Sequence, residues 1–164
     1  MKLLWSDVQG TSIGALEGQL RSKAKLFRQV TIEDLADKTS KESVGLYFFF
    51  DGDQLMYMGK SSSRAFIERI PSHLDVRPGN WFGTLLHKLA NCNEPPCRSA
   101  DCLARALDVR LTLLVANAED MPEDELKDLL ESTEYGFRVV LKSKLNPPKN
   151  PRMTDPNTPL GHIE

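Results

Sequence analysis

The sequence predicts an α/β fold: a small α/β sandwich in which a three-stranded, mainly antiparallel sheet is flanked by helices. Three observations lead to this prediction. Residues 44–50 are rich in β-branched and aromatic side chains, and residues 54–59 form a second apolar run after the turn Asp51-Gly52-Asp53. Residues 109–116 form a third run of strand length. Apolar residues at helical spacing lie before and after these runs.

The remaining elements are predicted as helices, because capping residues or a proline mark where each apolar pattern begins. The predicted helices span 12–28, a short turn that begins at Thr31, Ser62 or Ser63 to about Leu74, Asn80 to beyond Leu89, and Glu123 to about Lys144. Residues 91–98 contain Pro95-Pro96 and are predicted to form a loop.

The length and composition favour one folded domain away from membranes. The chain has 164 residues and a formal net charge of −2, and it contains no apolar run near the ~18 residues that a membrane helix needs. Asp7 stands too early for a secretory signal. We therefore expect a cytoplasmic protein with no membrane partner. The Pro-rich tail, residues 151–164, is expected to be flexible.

The charges are unevenly distributed along the chain. Acids concentrate between residues 119 and 134, and basic residues follow them. Separated charge allows one face to bind a polyanion even when the total is acidic; solvated helix faces are the alternative. The basic cluster contains Arg138, Lys142, Lys144, Lys149 and Arg152.

Two tyrosines are the most informative residues of the chain. They occur ten residues apart, in Gly45-Leu46-Tyr47 and Tyr57-Met58-Gly59. In a hairpin whose turn centres on Gly52, they are expected to be near-opposite and to share one sheet face. Lys60, Arg69 and His73 follow them, with Arg69 and His73 four residues apart as on one helix face. Phenols, an amine, a guanidinium and an imidazole together suit a reaction at a phosphate.

This arrangement resembles the GIY-YIG nuclease family. The two tyrosine motifs, the sequence Arg69-Ile70-Pro71-Ser72-His73, and Glu134 followed by Asn146 match the family's pattern in order and approximate spacing. Leu46 and Met58 stand where the family has isoleucine, and the interval from Tyr57 to Arg69 is about two residues longer than usual. The match covers residues 43–150, so that residues 1–42 become an N-terminal helical extension and residues 90–107 an insertion.

The resemblance implies a metal-dependent DNA endonuclease that hydrolyses phosphodiester bonds. Glu134 would bind one Mg²⁺ or Mn²⁺ ion, and its spacing from Leu130 and Phe137 predicts that it faces inward on its helix. Tyr47 and Tyr57 would assist water activation, and Lys60 would lower a tyrosine pKa. The further implied roles are phosphate binding by Arg69, or by its rival Arg64; hydrogen bonding or proton transfer by His73; positioning by Asn146; close approach at Gly45 and Gly59; and substrate binding by Lys142 and Lys144.

A second constellation combines one histidine and three cysteines. His87, Cys92, Cys97 and Cys102 are spaced by five residues. Four such ligands could bind zinc, but structural zinc sites usually contain closer cysteine pairs. The sequence therefore favours free cysteines, with zinc as the alternative.

Two functions compete on these residues. The intact polar set favours an active nuclease, because a protein that only binds has less need of Glu134 and Lys60. The alternative is a non-catalytic nucleic-acid-binding or protein-interaction domain on the same fold. No DNA-reading module is recognisable in the sequence, so a separate targeting protein is an expected kind of partner. The oligomeric state is not predicted.

Overall fold

The protein is described by a computed structural model that covers residues 1–36, 44–77, 84–92, 95–116, 121–148 and 156–161. Within these residues the fold is mixed α/β, as predicted, with helices on both faces of one five-stranded sheet. The strands are β1 (Lys2–Leu4), β2 (Lys25–Leu26), β3 (Val44–Asp51), β4 (Gln54–Ser61) and β5 (Arg110–Ala116). The helices are α1 (Trp5–Val8), α2 (Ile13–Lys23), α3 (Ile32–Leu35), α4 (Phe66–Arg69), α5 (Thr84–Asn91), α6 (Leu103–Asp108) and α7 (Glu123–Val140), with 3₁₀ turns at Phe27–Gln29, Pro71–Leu74 and Ser99–Cys102.

The sheet is larger than the predicted three strands. Its order is β1-β5-β3-β4, with β2 also paired to β5. Of the three predicted strands, β3 is antiparallel to both of its neighbours, β4 and β5, whereas β1 runs parallel to β5. The prediction missed β1 and β2 because two or three residues are too few to show strand alternation. Both strands come from the predicted helical extension, residues 1–42, of which residues 37–42 lie outside the described part.

Several predicted helices are shorter in the structure. The helix predicted over 12–28 ends at Lys23, because Lys25–Leu26 pairs with β5 instead. Pro71, which has no backbone N–H, divides the helix predicted up to Leu74 into α4 and a 3₁₀ turn, and Ala65 rather than a serine precedes α4. The predicted cap at Asn80 lies outside the described residues. The short helix at Thr31 is confirmed, with a capping box formed by Thr31 and Asp34.

The predicted insertion and tail are packed where they are described. Residues 90–107 contain the end of α5, the turn Ser99–Cys102 and most of α6, and Cys102 and Ala106 are buried. Residues 156–161 lie against α2, with hydrogen bonds from Gly14 N to the Pro156 carbonyl (3.0 Å) and from Leu160 N to the Thr11 carbonyl (2.9 Å). The predicted flexibility is therefore wrong for residues 156–161, because Leu160 is buried in the core. Residues 151–155 and 162–164 lie outside the described part.

The sheet separates two apolar clusters. Tyr47, Phe49 and Tyr57 belong to the cluster shared with α4 and α5, whereas Phe48 and Met58 belong to the cluster shared with α2 and α7. Residues 44–50 of the central strand β3 are all buried, as expected for a strand that is covered on both faces. The strand β4 lies at an edge of the sheet, where side chains from both faces can meet.

Candidate active site

A cleft of about 430 Å³ opens beside the C-terminal end of the edge strand β4. It gathers side chains from β3, β4, the turn that follows β4, α4 and α7. The lining residues are Tyr47, Tyr57, Gly59, Lys60, Ser61, Ser62, Ser63, Arg64, Arg69 and Glu134. Seven of the predicted site residues are therefore in this cleft, although Glu134 lies far from the others in sequence. Both candidate arginines, Arg64 and Arg69, line it.

A bulge in the hairpin aligns the two tyrosines. Near the turn, Phe50 pairs with Leu55, but Phe49 pairs with Tyr57, so that one extra residue lies on β4. Tyr47 then pairs with Gly59 and lies diagonal to Tyr57 rather than opposite it. The prediction of a shared sheet face is confirmed: the two rings stack with their centroids 6.3 Å apart.

The Tyr47 hydroxyl is the centre of a buried hydrogen-bond network. It lies 3.0 Å from His73 Nε2 and accepts a hydrogen bond of 3.3 Å from Arg69 Nε. Burial raises the pKa of Tyr47 well above its ordinary value. Burial, with a smaller contribution from the Arg69 charge, lowers the pKa of His73 to about 3. The imidazole is therefore neutral at pH 7.

His73 is linked to the cleft by its hydrogen bond with the Tyr47 hydroxyl. Its side chain is fully buried and is not part of the cleft lining. Although Arg69 and His73 lie on different elements, α4 and the 3₁₀ turn Pro71–Leu74, both contact the same phenol oxygen. The predicted pairing of these two residues is thus present, with Tyr47 as the shared partner.

Tyr57 combines burial with groups that favour its ionised form. Burial and, to a smaller extent, the negative charge of Glu134 raise its pKa, while the positive charge of Arg69 and hydrogen bonds with the Thr84 and Tyr47 side chains act in the opposite direction. Because burial is the largest of these effects, both phenols are protonated at neutral pH in this arrangement. The hydrogen bonds with Thr84 and Tyr47 nevertheless favour the ionised form of Tyr57.

Glu134 lies on the inward face of α7, as its spacing predicted. The helix is continuous through Gly136, and its apolar residues Leu130 and Phe137 are fully buried. The Glu134 side chain is 15% exposed, and one carboxylate oxygen lies 3.7 Å from Arg138 Nη1. Burial raises the pKa of this carboxyl, against the opposing effects of the Arg138 and Lys60 charges.

Lys60 does not have the partner that was predicted for it. Its side chain lines the cleft, but its ammonium group lies 2.5 Å from Glu131 Oε2. Strand alternation explains this, because Lys60 pairs with Leu46 and points to the α7 side, whereas Tyr57 points to the α4 and α5 side. Lys60 contributes to the charge around Glu134 and is not among the groups that change the Tyr57 pKa.

Asn146 fastens the segment after α7 to the edge of β4. Its amide accepts a hydrogen bond from Met58 N (3.3 Å) and donates one to the Met58 carbonyl (2.6 Å). Lys144 N and Leu145 N continue this contact by donating to the Leu55 and Met56 carbonyls. The segment therefore covers β4 as far as Met58, and the cleft begins immediately beyond it. This geometry fits the predicted positioning role of Asn146, which is buried outside the cleft.

Arg138 has a bridging role that was not predicted from the sequence. Its Nε donates to the Asn146 carbonyl (2.7 Å), so that one guanidinium joins the segment after α7 to the carboxylate of Glu134. The four-residue interval between Glu134 and Arg138 on one helix is the signal that could have identified it. Thr84 was also missed, because its proximity to Tyr57 comes only from the tertiary fold.

Three residues predicted to bind substrate lie outside the cleft. Gly45, at φ +140°, packs against the backbone of β5, and a Cβ there would collide with the Leu114 carbonyl. Its role is in sheet pairing. Lys142 and Lys144 lie at the hairpin end of β4, where the Lys142 carbonyl accepts from Gln54 and Lys144 N donates to Leu55. The remaining basic residues, Lys149 and Arg152, lie outside the described part.

The four candidate zinc ligands are not gathered at one point. Cys97 Sγ and Cys102 Sγ lie 3.0 Å apart, but His87 Nδ1 is hydrogen-bonded to Ser99 (3.2 Å), and Cys92 is exposed. No group of three or more His, Cys, Asp or Glu side chains suited to a metal ion occurs within the described ranges. The geometry does not support the zinc alternative.

A single-carboxylate magnesium site fits the donor chemistry of the cleft. Glu134 offers hard oxygen ligands at a sheltered position next to Arg69 and Lys60. Mg²⁺ is commonly held by one or two carboxylates together with water and phosphate oxygens, so a site without a full protein cage suits this ion.

Comparison of the chain with known protein families, curated proteins and solved structures found no match. Among the residues that the structure describes, no helix is both long enough and apolar enough to cross a membrane.

Proposed function

We propose that the protein is a metal-dependent DNA endonuclease with a GIY-YIG-like catalytic domain. One observation carries the proposal: a single cleft contains the two phenols, both arginines, Lys60 and the sheltered carboxylate of Glu134. These are the residue types and positions that the resemblance implied for phosphodiester hydrolysis. Tyr47 and Glu134 both line this cleft although 87 positions separate them in the sequence. If the motif matched by coincidence, there would be no reason for these two residues to lie in one cleft.

The arginines supply the phosphate contact. A guanidinium donates through a planar set of N–H groups that matches phosphate oxygens. Arg69 is the better placed of the two for the scissile phosphate, because its Nε also contacts the Tyr47 hydroxyl. Arg64, which is exposed at the turn after β4 and also lines the cleft, suits an adjacent phosphate.

The two tyrosines have different roles in the proposed reaction. Tyr47 is fully buried and holds the hydroxyl network together, so it orients Arg69 and Tyr57. Tyr57 is the phenol whose oxygen can align a water molecule for attack and, once it has lost its own proton, receive the proton of that water. Since burial holds the Tyr57 pKa above its usual value, ionisation of Tyr57 before that proton transfer requires additional positive charge in the cleft.

Glu134 would hold the divalent cation, and Lys60 and Arg138 keep the surrounding charge balanced. A bound Mg²⁺ or Mn²⁺ would supply positive charge at the phosphate and favour loss of a proton from water. Asn146 and Arg138 keep α7 in position relative to β4, which fixes Glu134 opposite the tyrosines.

Cleavage assays with supercoiled, linear and branched DNA, each with Mg²⁺ or with a chelator, test this function. The proposal predicts cleavage that needs Mg²⁺ and that is lost in Glu134→Gln, with a decrease of at least about 10²-fold in rate. Glu125→Gln removes the same charge from an exposed position of α7 and is the matched control, for which wild-type cleavage is expected.

Binding of DNA without cleavage on every substrate would contradict the nuclease and favour the non-catalytic nucleic-acid-binding domain. Failure to bind any nucleic acid would favour a protein-interaction domain. Equal loss of cleavage in Glu134→Gln and Glu125→Gln would count against a specific role for Glu134.

A further inference from the structure

Two cysteines outside the cleft face each other at short range. Cys97 Sγ and Cys102 Sγ are 3.0 Å apart, and neither residue is in a disulfide. Cys97 lies in the loop after α5, and Cys102 ends the 3₁₀ turn that leads into α6. The cleft does not include either residue, so the proposed nuclease chemistry does not explain the pair.

Two hydrogen bonds join the segment that carries the pair to the same helix, α5. Cys97 N donates to the Ala90 carbonyl of α5 (3.3 Å), and the Ser99 hydroxyl lies 3.2 Å from His87 Nδ1 of α5. Cys102 is buried against the same apolar cluster that contains Leu89. The two sulfur atoms are therefore held near each other by α5, and a bond between them requires little rearrangement.

The three cysteines differ in exposure in a way that suits stepwise oxidation. Cys97 is partly exposed and can be reached from solvent, whereas Cys102 is buried and Cys92 is exposed. We propose that Cys97 and Cys102 form a reversible dithiol–disulfide site whose co-substrate is a small-molecule disulfide of the glutathione class.

The reaction balances as two exchanges. The Cys97 thiolate attacks one sulfur of oxidised glutathione, which forms a mixed disulfide and releases one reduced glutathione. The Cys102 thiolate then attacks the Cys97 sulfur and releases the second. The protein loses two thiol protons and two electrons, and the glutathione disulfide is reduced to two thiols.

Mass spectrometry of the full chain tests the site. The reduced protein is incubated with oxidised glutathione, alkylated and digested with trypsin without reduction. Cleavage after Lys88, Arg98 and Arg105 places Cys92 and Cys97 in one peptide and Cys102 in the next. We expect these two peptides to be cross-linked, with Cys92 carrying glutathione, and we expect dithiothreitol to reverse both changes.

Substitutions identify which cysteine takes part. Cys92→Ser changes an exposed residue and is expected to keep the cross-link in full, whereas Cys97→Ser is expected to abolish it. Absence of the cross-link in the Cys92→Ser variant would overturn the proposal, as would a wild-type cross-link formed by Cys92 in place of Cys97. Stoichiometric zinc bound to the reduced protein, released on oxidation, would also overturn it in favour of a metal site.

Discussion

The phenol ring of Tyr47 lies across the backbone of Gly59, its partner on the neighbouring strand. A Cβ atom at residue 59 would lie 2.6 Å from Tyr47 Cζ, closer than real Cβ atoms approach other heavy atoms. The missing side chain therefore creates the space through which the Tyr47 hydroxyl reaches Arg69 and His73. The absence of a side chain at Gly59 thus leaves room for the ring of Tyr47.

Gly59→Ala is therefore expected to displace Tyr47. Overpacking of this kind costs about 1–3 kcal/mol of the free energy of unfolding, and cleavage should decline because the hydroxyl network is disturbed. Urea denaturation and the cleavage assay measure the two effects. Gly18→Ala is the matched control: residue 18 is exposed on α2, and a Cβ added there would meet no atom within 4 Å, so a gain of about 0.5–1 kcal/mol is expected. Equal stability changes in the two variants would contradict the packing argument.

The buried imidazole of His73 predicts a pH dependence of stability. Its pKa is about 3 in the folded protein, against about 6.5 in an unfolded chain. Between these values the unfolded chain binds the extra proton, so this residue's contribution is fully present above about pH 6.5 and is lost as the pH falls towards 3. The loss amounts to at most about 1.4 kcal/mol per pH unit.

A comparison with His73→Gln isolates this contribution, because the carboxylates that titrate in the same range are common to both proteins. The variant should be less stable than the wild type at pH 7.5, and the difference should narrow as the pH is lowered from 6.5 to 4. Urea denaturation at several pH values measures it. A stability difference that stays constant with pH would show that His73 does not titrate on unfolding.

Arg138 is expected to contribute more to the free energy of unfolding than an ordinary surface arginine does. Its guanidinium contacts Glu134 and the Asn146 carbonyl, so Arg138→Met leaves a sheltered carboxylate and a carbonyl without their partner. We expect a loss of about 1–3 kcal/mol in unfolding free energy. Arg138→Lys keeps the positive charge but not the planar set of donors, and an intermediate loss is expected.

Arg105→Met provides the control for Arg138. Arg105 forms an exposed ion pair with Asp51 at 3.9 Å, and such pairs contribute about 0–1 kcal/mol. Denaturation of the three variants under the same conditions separates the two cases. If Arg138→Met is no more costly than Arg105→Met, the bridge between Glu134 and Asn146 does not stabilise the fold.

The proposed function predicts that basic residues differ in their effect on DNA binding according to their position. Arg64 and Lys60 line the cleft, whereas Lys144 lies beside Leu55, which is five residues before Lys60 on β4, or roughly 17 Å along an extended strand. Arg64→Ala should weaken DNA binding. It should also make the plot of log binding constant against log salt concentration less steep, by about the amount expected for the loss of one phosphate contact. Lys144→Ala, a matched removal of one positive charge, should have the smaller effect. Fluorescence anisotropy over a salt series measures both, and a larger effect of Lys144→Ala would place the DNA along the other end of β4.

The hairpin β3–β4 was predicted from the sequence in part. The aromatic and apolar runs around Gly52 predicted β3 and β4 correctly, because those patterns depend on residues adjacent in the chain. Tyr47 and Tyr57 were correctly predicted to share one face of the sheet. They were also predicted to be near-opposite residues of a regular hairpin, and this was wrong. The structure contains a bulge, and without that extra residue Tyr57 would pair with Phe48 and point to the other face. A bulge depends on contacts of both strands with the rest of the fold, which local patterns do not record.

Residue types and local spacing determined which side chains could do the chemistry. The inward position of Glu134 on α7 follows from short intervals in the chain, because the helix period fixes where neighbouring side chains point. The shared face of Tyr47 and Tyr57 depends on the bulge, and Arg69 and His73 lie on different elements and meet at the Tyr47 hydroxyl. Tertiary structure alone decided which of these side chains meet. Because β4 is at the edge of the sheet, Glu134, whose helix packs on the other face, lines the same cleft as the tyrosines. Lys60 contacts Glu131, and Lys142 and Lys144 lie outside the cleft. These outcomes depend on strand order and register between distant segments, which are set by burial of the whole sheet and not by any local pattern.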